Sequence, residues 1–93
     1  MSHVVDQRKQ LLARVNRLLG QMTALRRDIE NASTDEECSS IMQQLSSIRG
    51  AVNGLSMIYL EEHVRKHIAQ GRSESERQRA ADDLLAALKS YRA

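Results

Sequence analysis

The sequence predicts an all-α protein of three helices, the first two long and folded into a hairpin that dimerises as an antiparallel four-helix bundle. Three observations carry this. Apolar residues recur at alternating intervals of 3 and 4 over two long stretches, which is a helical period and not the alternation of a half-buried strand. The chain has no proline and only four glycines, so little interrupts long helices. Ser or Thr followed three residues later by Glu stands ahead of the second and third apolar runs, the pattern of a capping box. Ninety-three residues suit a single domain, 1–93. With no Phe, no Trp, two Tyr and 41% apolar residues gathered in seams, a lone chain has a thin core. Oligomerisation is the simplest way to bury both seams.

The first helix is expected over residues 4–31. Leu11, Val15, Leu18, Met22, Leu25 and Ile29 form its seam, broadened by Leu12 and Leu19. The net charge of +2 says little about partners, but its distribution says more. From Gln7 to Arg27 there are six basic residues (Arg8, Lys9, Arg14, Arg17, Arg26, Arg27) and no acid, whereas Glu30 to Glu37 holds four acids and no base. A surface built only for solubility interleaves signs. One built for phosphate gains counterion-release entropy from each unpaired cation. A solvated helix face is the plain alternative.

Asn31 to Thr34 reads as the turn, with Ser33 and Glu36, or Thr34 and Glu37, capping a second helix that starts near residue 34. Asp35, Glu36 and Glu37 then sit at the positive end of its dipole. Cys38, Ile41, Leu45, Ile48, Val52, Leu55 and Tyr59 are its seam, and it is expected to end near Gln70, with Gly71 as a left-handed cap. A third helix follows the Ser73 and Glu76 capping box, with an apolar face of Ala81, Leu84, Leu85, Leu88 and Tyr91. Glu76, Arg77 and Arg79 are expected at the surface.

Cys38 stands at the start of the second helix, and His63 and His67, one turn apart, stand near its end. In a straight helix the two ends lie roughly 37 Å apart at 1.5 Å per residue. One helix cannot bring them to one atom, but two copies crossing antiparallel can. Pairing Cys38 with His63 of a second copy centres the crossing between Gly50 and Ala51, within the small residues Ser46, Ser47, Gly50, Ala51 and Gly54. Each helical glycine costs about 0.5 to 1 kcal/mol relative to alanine, so a close approach is the expected return. Folding the first helix back about residue 32 or 33 brings His3 beside His63 of its own chain. Three imidazoles and one thiolate suit Ni(II), Co(II) or Zn(II) better than Cu(I). The plain alternatives are a buried cysteine serving as core and histidines on a solvated helix end.

A single cysteine rules out an internal disulfide, and nothing at the N-terminus reads as a signal peptide or membrane span, so the cytoplasm is the expected location. His63 and His67 do not form the metalloprotease motif, since Val64, Arg65 and Lys66 stand between them. No paired carboxylates or nucleophile and base point to an enzyme. A metal storage or delivery protein would share the ligands without requiring the acid-free basic run.

The chain resembles the CsoR/RcnR family of bacterial metal- and stress-sensing repressors over nearly its whole length: MSH at the start, ARVNRLLGQ in the first helix, ECSSIMQQLSSIRGAVNGL in the second and EEHVRKHI at its end. The resemblance implies an all-helical dimer of dimers without a helix-turn-helix. Such repressors bind double-stranded operator DNA in the apo form and leave it when effector binds, releasing an efflux gene from repression. Copper sensors resemble one another in having Cys where His67 stands, persulfide sensors need a second Cys, and formaldehyde sensors typically have Pro where Ser2 stands. The quartet His3, Cys38, His63 and His67 is instead similar to the nickel and cobalt branch, RcnR, which implies Ni(II) or Co(II) as effector, with an N-terminal main-chain nitrogen completing the coordination. One departure is a longer turn before Cys38, which bears on the choice between the two metals. An aldehyde-responsive repressor remains the alternative within the family because Cys38 is present. DNA-contacting positions of the family fall on Arg14, Arg17 and Arg49.

Overall fold

The computed structural model describes the backbone from Ser2 to Arg92 and the side chains from Gln7 to Tyr91. Three α-helices account for most of it: α1 (Ser2–Asn31), α2 (Asp35–His63) and α3 (Glu74–Lys89). A π-helical segment, Val64–Ala69, continues α2, and a 3-10 turn, Ser90–Arg92, follows α3. The chain is all-α, with no strand among the described residues. Its residues group into two compact units, Met1–Leu55 and Ser56–Ala93.

In the first unit α1 and the first part of α2 form an antiparallel hairpin. Asp28 of α1 accepts from Gln44 Nε2 of α2 at 2.6 Å, and the Arg14 guanidinium reaches Gly54, 3.7 Å from where a Cβ would stand. The turn is fixed by Thr34, whose Oγ1 accepts from the Glu37 amide at 3.2 Å and donates to Glu37 Oε1 at 3.0 Å. Of the two caps that the sequence allowed, the Thr34 pair is the one used. It supplies a partner to one of the amides that a helix start leaves without one.

The apolar seams divide when the hairpin forms. On α1, Leu11 and Leu25 are buried, and Val15 and Leu18 half-buried. Leu12, Leu19, Met22 and Ile29 stay 50 to 59% exposed. On α2, Ile41, Ile48 and Leu55 turn inward, while Met42, Leu45, Val52 and Tyr59 stay 45 to 65% exposed. The seam predicted as one stripe is therefore two, one closing the hairpin and one left open. The small residues divide as well. Ala51 and Gly54 are half-buried on the α1 side, whereas a Cβ on Gly50 would meet nothing within 4 Å.

In the second unit α3 packs on the π-helical segment through Ala80, which is buried, and half-buried Ala81, Leu84 and Ala87. Leu85, Leu88 and Tyr91, expected on the same apolar face, are instead exposed, since the side of α3 that packs is the one carrying Ala80, Leu84 and Ala87. Ser73 caps α3, its Oγ accepting from the Glu76 amide at 3.0 Å.

Two local expectations change here. The last turn before Gln70 is π-helical rather than α-helical, closed by the Gln70 amide donating to the Arg65 carbonyl at 3.0 Å. Gly71 is not a left-handed cap, since no glycine among the described residues has positive φ. Its reason is space. A Cβ there would lie 2.6 Å from the His67 carbonyl oxygen and 2.5 Å from Arg77 Cγ, and Arg77 donates to the Gly71 carbonyl at 2.9 Å.

Candidate metal centre

The histidines are positioned by α3. His63 closes α2, and its Nε2 lies 2.8 Å from the Ala80 carbonyl oxygen. A carbonyl only accepts, so Nε2 carries the proton and the lone pair of the ring is on Nδ1. His67 sits in the π-helical segment, its ring centroid 5.4 Å from that of His63 and tilted by 50°. Its Nδ1 faces Glu76 Oε1 at 3.5 Å. Glu76 is held in turn by the Arg72 amide, which donates to Oε2 at 3.0 Å. The Arg72 amide, and after it the His67 ring, holds the Glu76 carboxyl below its ordinary value. Each imidazole thus turns one nitrogen to an acceptor on α3, at 2.8 Å for His63 and 3.5 Å for His67, and leaves the other for another partner.

That arrangement fits a borderline metal ion, because histidine ligands typically donate their second nitrogen to a carbonyl or carboxylate that orients the ring. The rest of the predicted quartet is not gathered with them. Cys38 is a free, exposed thiol in the first turn of α2, within the first unit. The side chain of His3 lies outside the described residues. Among the described residues no group of three or more His, Cys, Asp or Glu converges within one chain.

Glu76 and the Ala80 carbonyl are contacts that the sequence reading missed. Glu76 stands in the capping box where the sequence places it, and it also links the cap of α3 to His67. A backbone carbonyl has no signature in sequence. The only signal for Glu76 was that its capping box follows directly on the histidine segment.

The basic residues of α1 are partly neutralised. Arg26 pairs with Glu30 at 3.0 Å and Arg27 with Asp28 at 3.6 Å, both near the acidic end of the run. Arg14 and Arg17 are exposed with no carboxylate at ion-pair distance among the described residues, and so is Arg49 on α2. Arg49 lies on the open apolar face, four residues after Leu45 and three before Val52. No helix among the described residues is long and apolar enough to cross a membrane.

Comparison with known proteins follows the same lines. The family model described as "Metal-sensitive transcriptional repressor" matches residues 7–90. An uncharacterized protein from the bioA 5' region of Serratia marcescens is 44% identical over 92 residues, 98% of either chain. The transcriptional repressor RcnR of Salmonella typhimurium is 35% identical over 91 residues, again 98% of either chain. The RcnR repressor of Escherichia coli strain HS has the same identity and coverage. No solved structure matches the chain.

Proposed function

We propose, on the premise that the chain belongs to the family of metal-sensitive transcriptional repressors, that it holds operator DNA in the apo form and releases it on binding Ni(II) or Co(II), derepressing a metal efflux gene. The observation that carries this reading is the His63 and His67 pair, each ring with one nitrogen turned to an α3 acceptor and the other without a protein partner among the described residues. In the proposed site Cys38 comes from a second copy and His3 from the same chain as the histidines. When bound, the metal supplies a positive centre that draws imidazole and thiolate donors together.

The DNA-binding half of the reading rests on Arg14 and Arg17. Both are exposed on α1, and they contact phosphate, reading operator shape more than base edges. His3 heads that same helix. Its movement onto the site repositions the first turns of α1 and with them Arg8, Lys9, Arg14 and Arg17. A coupling of about 1 to 3 kcal/mol between the two sites weakens DNA binding roughly 5- to 150-fold.

The test is release of the DNA beside the protein's own gene, followed by fluorescence anisotropy while Ni(II), Co(II), Zn(II), Cu(I) and formaldehyde are titrated separately. Release by Ni(II) or Co(II), with Cu(I) and formaldehyde inactive, is the expected result. Apo protein that does not bind DNA would point to metal storage or delivery, and release by formaldehyde alone to an aldehyde sensor.

A further inference from the structure

Glu76 joins three groups at the start of α3. Its amide donates to the capping Ser73 hydroxyl at 3.0 Å, its Oε2 accepts from the Arg72 amide at 3.0 Å, and its Oε1 faces His67 Nδ1 at 3.5 Å. The carboxylate is thus anchored by α3, while the ring it faces belongs to the π-helical segment. His63 is held by α3 as well, but through the opposite ring nitrogen, by Nε2 to the Ala80 carbonyl. A neutral imidazole free in water prefers its proton on Nε2. A carboxylate beside Nδ1 reverses that preference by accepting the proton's hydrogen bond on that side.

We propose that Glu76 is a positioning residue for the metal site: it keeps the His67 proton on Nδ1, so that His67 offers Nε2 while His63 offers Nδ1. The inference rests on the metal-sensor reading above and adds to it that the two histidines bind through unlike nitrogens, with α3 as the element that sets the difference. It also makes the cap of α3 responsive to the site. A ring that gains positive character on binding metal attracts Glu76 more strongly, and Glu76 is bonded to the backbone of Arg72.

The full-length protein labelled with 15N at histidine tests this by long-range proton–nitrogen correlation, at a pH where the imidazoles are neutral. Wild type, Glu76→Ala and Glu76→Gln are compared without metal and with Zn(II), a diamagnetic probe. In metal-free wild type His67 should be protonated on Nδ1 and His63 on Nε2. In Glu76→Ala the His67 proton should shift toward Nε2 while His63 is unchanged, the latter showing that α3 is still docked. Zn(II) should bind wild-type His67 through Nε2, and its affinity should fall about 10- to 100-fold in Glu76→Ala. Glu76→Gln, whose amide oxygen still accepts from Nδ1, should lose less.

Protonation of His67 on Nε2 in metal-free wild type would overturn the proposal, and this reading needs no variant to fold. Zn(II) bound through His67 Nδ1 or by the Glu76 carboxylate itself would overturn it too, as would wild-type affinity in Glu76→Ala. In each of these cases the metal-sensor reading survives. Zn(II), Ni(II) and Co(II) all leaving both wild-type rings unperturbed would remove that reading and the proposal with it.

Discussion

Arg14 and Arg17 are exposed cations in the middle of a helix whose last two arginines, Arg26 and Arg27, have carboxylate neighbours. An exposed pair such as Arg26 with Glu30 stabilises by only about 0.3 to 0.5 kcal/mol, so the division is more informative about function than about stability. Arg14→Ala and Arg17→Ala should each weaken operator binding and lower the magnitude of the log–log salt slope by about one. Unchanged slopes would remove α1 from the DNA interface. His3 carries the complementary expectation. His3→Ala should still bind Ni(II) through Cys38, His63 and His67 but fail to release DNA efficiently, and full release at saturating metal would contradict the switching role. Arg49 has a different setting from either, because Leu45 and Val52 flank it on the open apolar face. A long side chain there can lie along apolar surface and keep its charge at the edge.

The elements were legible in the sequence where one chain determines them. Alternating intervals of 3 and 4 located α1 and α2, and the Thr34 and Ser73 caps placed the starts of α2 and α3 to within a residue. What periodicity does not say is which chain covers a seam. Leu25 and Met22 belong to one predicted stripe, yet one is 6% and the other 50% exposed, because a single partner helix covers only part of a broad apolar face. The π-helical segment was not legible either, since an i to i+5 hydrogen bond is a backbone choice that leaves the apolar spacing nearly unaltered. Gly71 was found in the right place for the wrong reason. It admits the His67 carbonyl and the Arg77 side chain rather than a left-handed backbone. Gly71→Ala should therefore destabilise the second unit by about 1 to 3 kcal/mol, the usual cost of overpacking, as measured by denaturant unfolding. A change near zero would mean that Arg77 and the π-helical turn give way freely. Of the candidate ligands, the sequence located His63 and His67 on neighbouring turns, but the ring nitrogens they offer depend on α3 packing that no spacing encodes.

For the molecule as a whole, the buried apolar core of the described chain is limited to Leu11, Leu25 and Ala80, and two long rows of apolar side chains remain open. Patches of that extent mark interaction surfaces in soluble proteins. The proposed occupant is a second copy, whose α2 would bring Cys38 to the histidines that no described carboxylate or thiol of their own chain completes as a three-ligand cluster. Dimer and site then form together. Cys38→Ala and His63→Ala proteins should each bind Ni(II) or Co(II) weakly, because every site loses a ligand. Refolding the two variants together gives a heterodimer in which one site combines the intact Cys38 of one chain with the intact His63 of the other, and the second site lacks both. Purified heterodimer should recover the thiolate-to-metal charge-transfer absorption and near-native affinity at half of its sites. A heterodimer that recovers neither, although it forms, would show that Cys38 and His63 do not meet across chains and would contradict the shared site.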